Sequence, residues 1–451
     1  MLTRSEVNKH TSRETCWVII NGIGYDLTTF LDAHPGGPGI ILKYAGKDAT
    51  SAFEKIHSGD LIARYIEPQH VLGCVTGNKE DPEPLKAITI SSEPQSKKVE
   101  LRSIVNIHDF ENAAQHNLTP QAFAFFKSGA DDEHTARWNH QSWQSIRFRP
   151  RVLRPITTLD LSTSILGTKT SLPFFICPAG GGKLAHTDGE ILMTKAAANH
   201  GALHWVCNMA GCTKEEIAKT RGPDQTLFWQ IYAKGTLTTT EEEIREAVQL
   251  GYKGFALTVD AVRPGKRERD LRLSLEEEDS SSSCGISAQR GAVWSSFDWI
   301  SAAKWLRSLT DLPIAIKGIQ CWEDAALCAQ HGFHPWLSNH GGRQLEGAPS
   351  AVETLLEMRR HCPDVLEKCD VIVDGGITRG TDIVKALALG AKAVGLGRPF
   401  LYALTFGEAG VDKAIQILRQ EMETAMALLG VGSIDQLGPS YLAIREREFK
   451  L

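Results

Sequence analysis

Eight short apolar runs, each followed by a longer segment with helical spacing, occupy the sequence from residue 173 onward. Apolar runs that alternate with helices predict strands buried on both faces of a parallel sheet, and eight such units can close into a barrel. The expected fold class is therefore α/β, a (β/α)8 TIM barrel, with a doubly wound sheet as the alternative. The runs are 173–177, 204–207, 227–232, 255–259, 313–316, 336–338, 370–373 and 393–396.

Polar residues gather where these runs end, and this placement favours the barrel over the doubly wound sheet. In (β/α)8 barrels the catalytic groups lie at the carboxyl ends of the strands. Here the polar residues at or just after the run ends are Gln230, Tyr232, Thr258, Asp260, Lys317, His340, Arg343 and Asp374.

The segment 338–344, Ser-Asn-His-Gly-Gly-Arg-Gln, follows the sixth run and places an imidazole and a guanidinium three residues apart. A base must lie within hydrogen-bonding reach of the proton it removes, and an arginine fork is well suited to hold a carboxylate. His340 and Arg343 thus indicate removal of a proton next to a carboxylate, as in a 2-hydroxy acid. Taken alone, the heptapeptide is more typical of an ordinary loop.

Two glycine-rich loops follow the seventh and eighth runs, Asp-Gly-Gly-Ile-Thr-Arg-Gly at 374–380 and Gly-Leu-Gly-Arg-Pro at 395–399. Glycines let backbone N–H groups approach an anion, and barrels commonly bind phosphate with these two loops. A phosphorylated cofactor is therefore expected. Glycines that serve only tight turns are the alternative. Because a Rossmann fingerprint is absent, a nicotinamide is disfavoured. Lys317 suits the N1 edge of a reduced flavin, with a paired core lysine as the alternative.

The chain divides into two blocks joined by a polar, proline-bearing stretch. Its 451 residues are enough for more than one core. The domains predicted are residues 1–77, a linker at 78–100, and the barrel at 101–451. In the first block, His34 precedes His57 by 23 positions. Two histidines on separate turns can ligate a haem iron from both faces, which favours electron transfer.

Both blocks resemble known families. The large block resembles the FMN-dependent 2-hydroxy acid oxidase and dehydrogenase family over nearly its full length, through the 338–344 and 374–380 segments. The small block resembles cytochrome b5 from about residue 3 to 77, through Cys-Trp-Val-Ile at 16–19, Tyr-Asp-Leu-Thr-Thr-Phe-Leu at 25–31 and His-Pro-Gly-Gly at 34–37. The combination is similar to the flavocytochrome b2 type.

The resemblance implies site residues. His340 would be the base and Asp260 its partner; Arg343 would anchor the substrate carboxylate, with Tyr232 and Arg267 completing the substrate shell. His34 and His57 would be the axial ligands of haem b. FMN would be held by Pro178, Ala179, Cys207, Gln230, Thr258, Lys317, Ser338, Asp374, Gly375, Gly376, Arg379, Gly397 and Arg398.

The implied activity is FMN-dependent oxidation of an L-2-hydroxy acid, lactate-like or larger, to the 2-oxo acid. Electrons would pass from FMN to the b-type haem and then to an external acceptor such as a c-type cytochrome, and the assembly would be a homotetramer. The alternatives are an oxidase that uses oxygen, a specialised biosynthetic flavoenzyme, and a non-enzymatic electron-transfer or redox-sensing module.

The sequence departs from the family pattern next to the expected substrate. Phe125 stands where the family usually has a tyrosine whose hydroxyl contacts the substrate carboxylate, and Met209 stands where glycolate oxidase has a tryptophan. Loss of one neutral hydrogen bond costs about 1 kcal/mol. The hydroxyl missing at Phe125 is consistent with a larger or less polar acid, and Phe125 is equally consistent with an ordinary core aromatic.

Composition excludes several function classes. With 49 basic and 54 acidic side chains, nothing indicates nucleic acid or an anionic membrane as a partner. The apolar stretches are shorter than the roughly 20 residues that span a bilayer. Ten scattered cysteines without a Cys-x-x-Cys pair indicate a reducing compartment. Without a recognisable leader the cytosol is expected, and mitochondria are the alternative by resemblance.

Two further segments have a predicted conformation. The stretch 271–289 contains an acidic run followed by four serines and is expected to be a surface loop. The stretch 415–429 has helical apolar spacing and is expected to pack on the barrel.

Overall fold

The computed structural model describes residues 2–34, 38–76, 99–233, 237–277 and 297–444. Most of the predicted linker, 78–100, lies outside these ranges, so the domain boundaries remain predictions. No helix in the described ranges has both the length and the apolar character needed to cross a membrane.

The N-terminal block is a four-stranded sheet with short helices on it. Strands β2 and β3 pair antiparallel, β4 pairs with β3, and β1 pairs parallel with β4. Its core includes Val18, Leu31 and Ile41, all less than a tenth exposed. The elements are β1 (Leu2–Thr3), α1 (Arg4–Val7), β2 (Trp17–Ile20), β3 (Ile23–Asp26), α2 (Pro38–Leu42), α3 (Thr50–Glu54), α4 (Asp60–Tyr65) and β4 (Val71–Thr76).

The C-terminal block is a closed barrel of eight parallel strands, which confirms the predicted TIM barrel. The strands follow one another around the barrel in chain order, and each of the eight apolar runs supplies one of them. Outside the barrel are β5 (Ile146–Phe148), β6 (Thr163–Ile165), β7 (Thr168–Thr170) and β16 (Leu442–Ile444). The barrel strands are β8 (Phe174–Ile176), β9 (His204–Cys207), β10 (Leu227–Ile231), β11 (Phe255–Thr258), β12 (Ile314–Ile319), β13 (His334–Leu337), β14 (Ile372–Asp374) and β15 (Ala393–Leu396).

Helices surround the barrel and precede it. The helices before and early in the barrel are α5 (Ile107–Asn117), α6 (Pro120–Lys127), α7 (His134–Gln144), α8 (Gly182–Ala185), α9 (Gly189–Asn199), α10 (Lys214–Lys219), α11 (Leu237–Gln249) and α12 (Glu268–Glu277). The later ones are α13 (Trp299–Leu309), α14 (Trp322–Gln330), α15 (Ala351–His361), α16 (Val365–Lys368), α17 (Gly380–Ala388), α18 (Arg398–Ala403) and α19 (Gly407–Leu429).

The interior of the barrel explains where its polar residues lie. Each strand contributes one apolar residue to a shared buried cluster; these are Phe175, Trp205, Phe228, Ala256, Ala315, Trp336, Ile372 and Ala393. Because alternate residues of a strand face the same side, the residue two positions further on faces the same interior, nearer the carboxyl end. That next layer consists of Cys177, Cys207, Gln230, Thr258, Lys317, Ser338, Asp374 and Gly395. The strand period alone thus places a largely polar layer at the mouth of the barrel.

Two predictions outside the barrel strands have different outcomes. The helix expected at 415–429 is part of α19, with Ile415, Leu418 and Met422 fully buried. The prediction of a surface loop at 271–289 is wrong at its start, because α12 continues to residue 277. Acidic residues in the first turn, Glu268 and Asp270, favour a helix at this point. The remainder of that stretch lies outside the described residues.

Candidate active site

A histidine and an aspartate meet at the mouth of the barrel. His340 Nδ1 lies 2.9 Å from Asp260 Oδ1. The Asp260 side chain is fully buried, whereas that of His340 is 25% exposed. Burial alone would raise the pKa of Asp260, but the charges of His340 and Lys317 lower it below its usual value. An ionised Asp260 therefore holds Nδ1 and leaves Nε2 as the nitrogen that can accept a proton.

The backbone around Asp260 and β12 is closely packed. Gly318 lies in a register shift of β12 and has a φ of +112°, which glycine adopts readily. A Cβ on Gly318 would lie 2.7 Å from the Cβ of Asp260. Glycine at this position therefore allows Asp260 to approach the strand that supplies Lys317.

The loop that contains His340 is held by two buried amides. Asn339 and Asn139 exchange hydrogen bonds, with Nδ2–Oδ1 distances of 2.8 and 2.7 Å. Asn339 Oδ1 also accepts from Gly342 N at 3.0 Å, and Asn339 Nδ2 donates to Pro349 O. Because buried amide groups cost free energy unless they are paired, this pair fixes one conformation of the loop.

Two arginines lie against one aromatic ring, that of Phe125. The guanidinium carbons of Arg343 and Arg267 are each 5.3 Å from the centre of the Phe125 ring. Arg343 Nη1 donates to the carbonyl oxygens of Phe125 at 2.7 Å and Ser128 at 3.0 Å. Burial, and then repulsion from Arg267 and Arg398, lowers the pKa of Arg343. The two guanidinium groups are partly removed from water and repel each other, so a bound anion would stabilise this site.

Tyr232 lies at the end of β10, beside this arginine pair. Burial is the main cause that raises the pKa of its phenol well above the usual value, and the charge of Arg343 opposes the increase. The five residues predicted to be catalytic are therefore brought together: His340, Asp260, Arg343, Tyr232 and Arg267.

A buried network joins three residues of the polar layer. Lys317 Nζ donates to Ser338 Oγ at 2.9 Å and lies 3.3 Å from Asp374 Oδ2. Ser338 Oγ donates to Asp374 Oδ1 at 2.7 Å, and Trp336 Nε1 donates to Asp374 Oδ2 at 2.9 Å. Burial alone would lower the pKa of Lys317, but Asp374 and Asp260 raise it above its usual value. The network therefore keeps a fixed positive charge at the barrel mouth.

Gln230 and Thr258 belong to the same layer. Gln230 Nε2 donates to Thr258 Oγ1 at 2.9 Å. The other amide atom, Gln230 Oε1, is buried and has no hydrogen-bond partner among the described residues. A buried acceptor of this kind is the sort of group that a bound donor satisfies.

The first glycine loop, 374–380, is held by helix α7. Trp143 Nε1 donates to Gly375 O at 3.0 Å, and His140 Nδ1 lies 3.0 Å from Gly376 O. A Cβ on Gly376 would lie 2.2 Å from the Asn139 backbone, so glycine is required there. Gly397 directly precedes α18.

Two predicted cofactor residues direct their guanidinium groups to protein partners. Arg379 Nη1 pairs with Glu421 Oε1 at 2.7 Å, and its side chain is 41% exposed. Arg398 Nη2 donates to Gly341 O at 2.5 Å, within the His340 loop. Pro178, Ala179 and Cys207 follow or end the first two barrel strands, where Cys207 is buried and the other two are half-buried.

In the N-terminal block, His34 and His57 face each other. Their ring centres are 6.0 Å apart, which leaves room for one metal ion bound by both rings, since metal–imidazole bonds are about 2 Å long. Burial, and then the nearby His34, lowers the pKa of His57 to about 4. His57 is therefore neutral at physiological pH, the form in which imidazole binds metals.

Known protein families match both blocks of the chain. The profile of the FMN-dependent dehydrogenase family matches residues 114–444. The chain belongs to this family. A second profile, that of the cytochrome b5-like haem/steroid binding domain, matches residues 3–76. The recognition made from the sequence is thereby confirmed, and the protein is an oxidoreductase with FMN and haem b as cofactors.

Relatives of this FMN-dependent dehydrogenase include proteins with both domains and proteins with the barrel alone. The chain is 42% identical to an L-lactate dehydrogenase (cytochrome) of Wickerhamomyces anomalus, over 98% of this chain and 80% of the relative. It is 36% identical to glycolate oxidase of Spinacia oleracea, over 75% of this chain and 96% of the relative. Among solved structures, the flavin-binding domain of baker's yeast flavocytochrome b2 matches with a TM-score of 0.72 and 38% identity, over 77% of this chain and 88% of that one.

The residues present fit both cofactors of such a dehydrogenase. The unpaired Gln230 acceptor, the buried Lys317 cation and the two glycine loops lie on one rim, as a phosphorylated flavin requires. The facing His34 and His57 rings suit a haem iron ligated on both sides.

Sequence reasoning did not identify three residues of this dehydrogenase's site. Asn339 lies inside the 338–344 segment and could have been singled out there, but its partner Asn139 has no motif around it. Tyr65, at the end of α4, donates a hydrogen bond to Met209 Sδ at 3.4 Å although it belongs to the haem domain. No local pattern could have predicted either long-range contact.

Proposed function

We propose that this protein oxidises an L-2-hydroxy acid, lactate-like or larger, to the 2-oxo acid and delivers the electrons to an external acceptor. The supporting observation is the His340–Asp260 pair beside the Arg343 and Arg267 guanidinium groups, on the rim that holds Lys317. FMN would supply the acceptor for the hydride equivalent that leaves the substrate carbon, and haem b would supply one-electron transfer to the acceptor. The names of the two-domain relatives support this substrate class.

The substrate carboxylate is bound by Arg343, Arg267 and Tyr232. Two guanidinium groups in a partly desolvated site attract an anion, and the anion relieves their mutual repulsion. His340 Nε2 then removes the proton of the substrate hydroxyl group. Asp260, ionised and hydrogen-bonded to Nδ1, stabilises the imidazolium that forms.

Lys317 stabilises negative charge that develops on the cofactor side of the site. Its ammonium group is buried and remains protonated because of Asp374 and Asp260. A fixed charge in a site of low dielectric needs no reorganisation during the reaction, which is the reason such groups are effective.

The flavin ring would be held by Pro178, Ala179, Cys207, Gln230, Thr258, Lys317 and Ser338. The remainder of FMN, including its phosphate, would be held by Asp374, Gly375, Gly376, Arg379, Gly397 and Arg398. The Arg398 side chain donates to Gly341 O, so we assign this role to its backbone N–H group at the start of α18. The Arg379 side chain pairs with Glu421 and its backbone N–H donates to Asp382 Oδ2 at 3.2 Å, so Arg379 would exchange one of these partners for the phosphate. His34 and His57 would ligate the haem iron.

The proposal also includes an electron acceptor, an assembly and a cellular compartment. A c-type cytochrome is the proposed acceptor, consistent with the cytochrome in the relatives' names. A homotetramer is the proposed assembly, by the family resemblance alone. Nine cysteines in the described ranges are free, which supports a reducing compartment such as the cytosol, with mitochondria as the alternative. Sedimentation and cell fractionation test these two proposals.

The function is tested with His340→Gln, which keeps a hydrogen-bonding side chain but lacks the base. The variant is expected to retain FMN and haem absorbance and to lose reduction of the flavin by 2-hydroxy acids by 1,000-fold or more, within the roughly 10²- to 10⁴-fold range of acid–base catalysis. His116→Gln, at an exposed position of α5, is the matched control. Unchanged reduction in His340→Gln would contradict the base assignment, and stoichiometric peroxide from the native enzyme would favour an oxidase.

A further inference from the structure

The last turn of α4 brings the haem domain into contact with the mouth of the barrel. Tyr65, the final residue of α4, donates its hydroxyl hydrogen bond to Met209 Sδ at 3.4 Å. Met209 is the second residue after β9, on the rim that holds the candidate active site. A side chain of the haem domain therefore contacts the barrel next to the candidate site.

The barrel residues around Tyr65 belong to the site. Burial raises the pKa of the Tyr65 phenol, and the nearby carboxylate of Glu243 raises it further. Tyr65 is also among the groups that raise the pKa of Tyr232, after burial, Cys207 and Asp260. The phenol of Tyr65 thus contacts the loop after β9 and is close enough to the end of β10 to influence the charge of Tyr232, a proposed substrate-binding residue.

A series of close neighbours connects Phe125 to Tyr65. A Cβ on Gly181 would lie 3.3 Å from the Phe125 ring, and one on Gly180 would lie 2.9 Å from Met209 O. Phe125, the loop 180–181, Met209 and Tyr65 therefore follow one another along one side of the site. Once the carboxylate and the hydroxyl group of a substrate are bound, the third substituent on the reacting carbon has to fit inside such walls.

We propose that Tyr65 is a specificity-determining residue, whose ring closes the substrate site next to Met209 and limits the size of the acid's side chain. This inference rests on the proposed function and adds that the substrate site is complete only when the haem domain is docked. The contact that docks the haem domain on the barrel then also selects the acid.

The charges at the same contact favour docking. Arg64 is the residue before Tyr65 and lies near the buried carboxyl group of Glu243. Burial raises the pKa of Glu243, and the positive charge of Arg64 opposes that increase. Trp229 Nε1 donates to Glu243 Oε1 at 2.6 Å and orients it. A buried carboxylate is stabilised by a cation that arrives with the partner domain, so the pair favours the docked arrangement.

The test uses the full-length holoenzyme and three variants. Tyr65→Ala removes the ring, Tyr65→Phe keeps the ring and removes the hydroxyl, and Ala63→Ser changes an exposed position of the same helix as the matched control. For each protein, kcat/KM is measured with a lactate-sized acid and with a phenyl-bearing 2-hydroxy acid. Binding of the corresponding 2-oxo acids is measured separately, from the change that they cause in the flavin spectrum.

Tyr65→Ala is expected to raise the ratio of kcat/KM for the large acid to that for the small acid by about 10-fold or more, because a hydrophobic pocket discriminates about this strongly per added group. The ratio of the binding constants is expected to shift in the same direction, whereas Tyr65→Phe and Ala63→Ser change both ratios by less than about threefold. Unchanged ratios in Tyr65→Ala would overturn the proposal. If no 2-hydroxy acid reduces the flavin of the native enzyme, the proposed function fails, and the binding ratios still decide whether Tyr65 limits ligand size.

Discussion

The imidazole of His340 and the carboxylate of Asp260 are 2.9 Å apart at the barrel mouth, although 80 residues separate them in the chain. The ends of β11 and β13 bring them together, and the register shift at Gly318 in the intervening strand gives Asp260 its space. The relationship makes Asp260 the residue that orients the base and stabilises its charged form.

Asp260→Asn tests this relationship. The amide cannot stabilise an imidazolium, so the rate of flavin reduction by substrate is expected to fall by about 100-fold or more, within the range of acid–base catalysis. Anaerobic stopped-flow absorbance measures that rate. Asp224→Asn, at an exposed position before β10, is the control, and equal rates in the two variants would contradict the role of Asp260.

Arg343→Lys is expected to impair substrate binding even though the charge is kept. Arg343 uses one nitrogen for the carbonyl oxygens of Phe125, Phe126 and Ser128, and lysine cannot make these bonds and hold a carboxylate together. Loss of charged hydrogen bonds worth about 3 kcal/mol lowers kcat/KM by about 100-fold. Steady-state kinetics with an artificial acceptor provides the measurement, and a change of less than threefold would be incompatible with the assignment.

Phe125→Tyr is expected to improve the use of small acids. The Phe125 ring lies 5.3 Å from both guanidinium groups, so a phenolic hydroxyl there adds one hydrogen bond near the carboxylate. One such bond contributes about 1 kcal/mol, or about a fivefold decrease in KM for a lactate-sized acid. The neutral amide of the same acid serves as the control ligand. An equal change for acid and amide would show that Phe125 does not face the carboxylate.

Asn139→Ala is expected to destabilise the protein and slow its chemistry together. It leaves the buried amide of Asn339 without its partner, at a cost of about 1–3 kcal/mol in the free energy of unfolding, and it loosens the His340 loop. Thermal unfolding and the rate of flavin reduction are measured alongside Asn112→Ala, at an exposed position of α5. Loss of stability without slower reduction would mean that the pair does not position His340.

Glu243 is expected to make stability depend on pH. Burial raises its pKa in the folded protein above the usual 4.5. The folded state therefore binds the proton more tightly, and the stability that this contributes is present below pH 4.5 and lost as the pH rises through the folded pKa. Relative to the native protein, Glu243→Gln should gain in thermal stability between pH 5 and pH 8. A constant difference across that range would contradict the raised pKa.

Much of the barrel could be predicted from the sequence. Strands buried on both faces give continuous apolar runs, so all eight runs correspond to barrel strands. The polar layer follows from the same pattern, since Gln230, Lys317 and Ser338 lie two residues after interior apolar residues of their own strands.

The remaining parts of the site depend on contacts that no local pattern encodes. Asn139 pairs with an amide 200 residues away, and Tyr65 reaches Met209 from another domain, 144 residues away. Arg379 lies in a loop with a cofactor-binding pattern, but the direction of its side chain depends on Glu421 of α19. Such contacts are set by how helices and domains pack, which requires the structure.

The central claim is that a 2-hydroxy acid reduces the flavin and that the electrons then reach the haem. Anaerobic stopped-flow spectroscopy of the purified holoenzyme mixed with L-lactate and with larger 2-hydroxy acids tests it most directly. The account predicts loss of flavin absorbance, followed by the spectrum of reduced haem, with at least one acid. A flavin that remains oxidised with every acid, or one that bleaches while the haem stays oxidised, would contradict it.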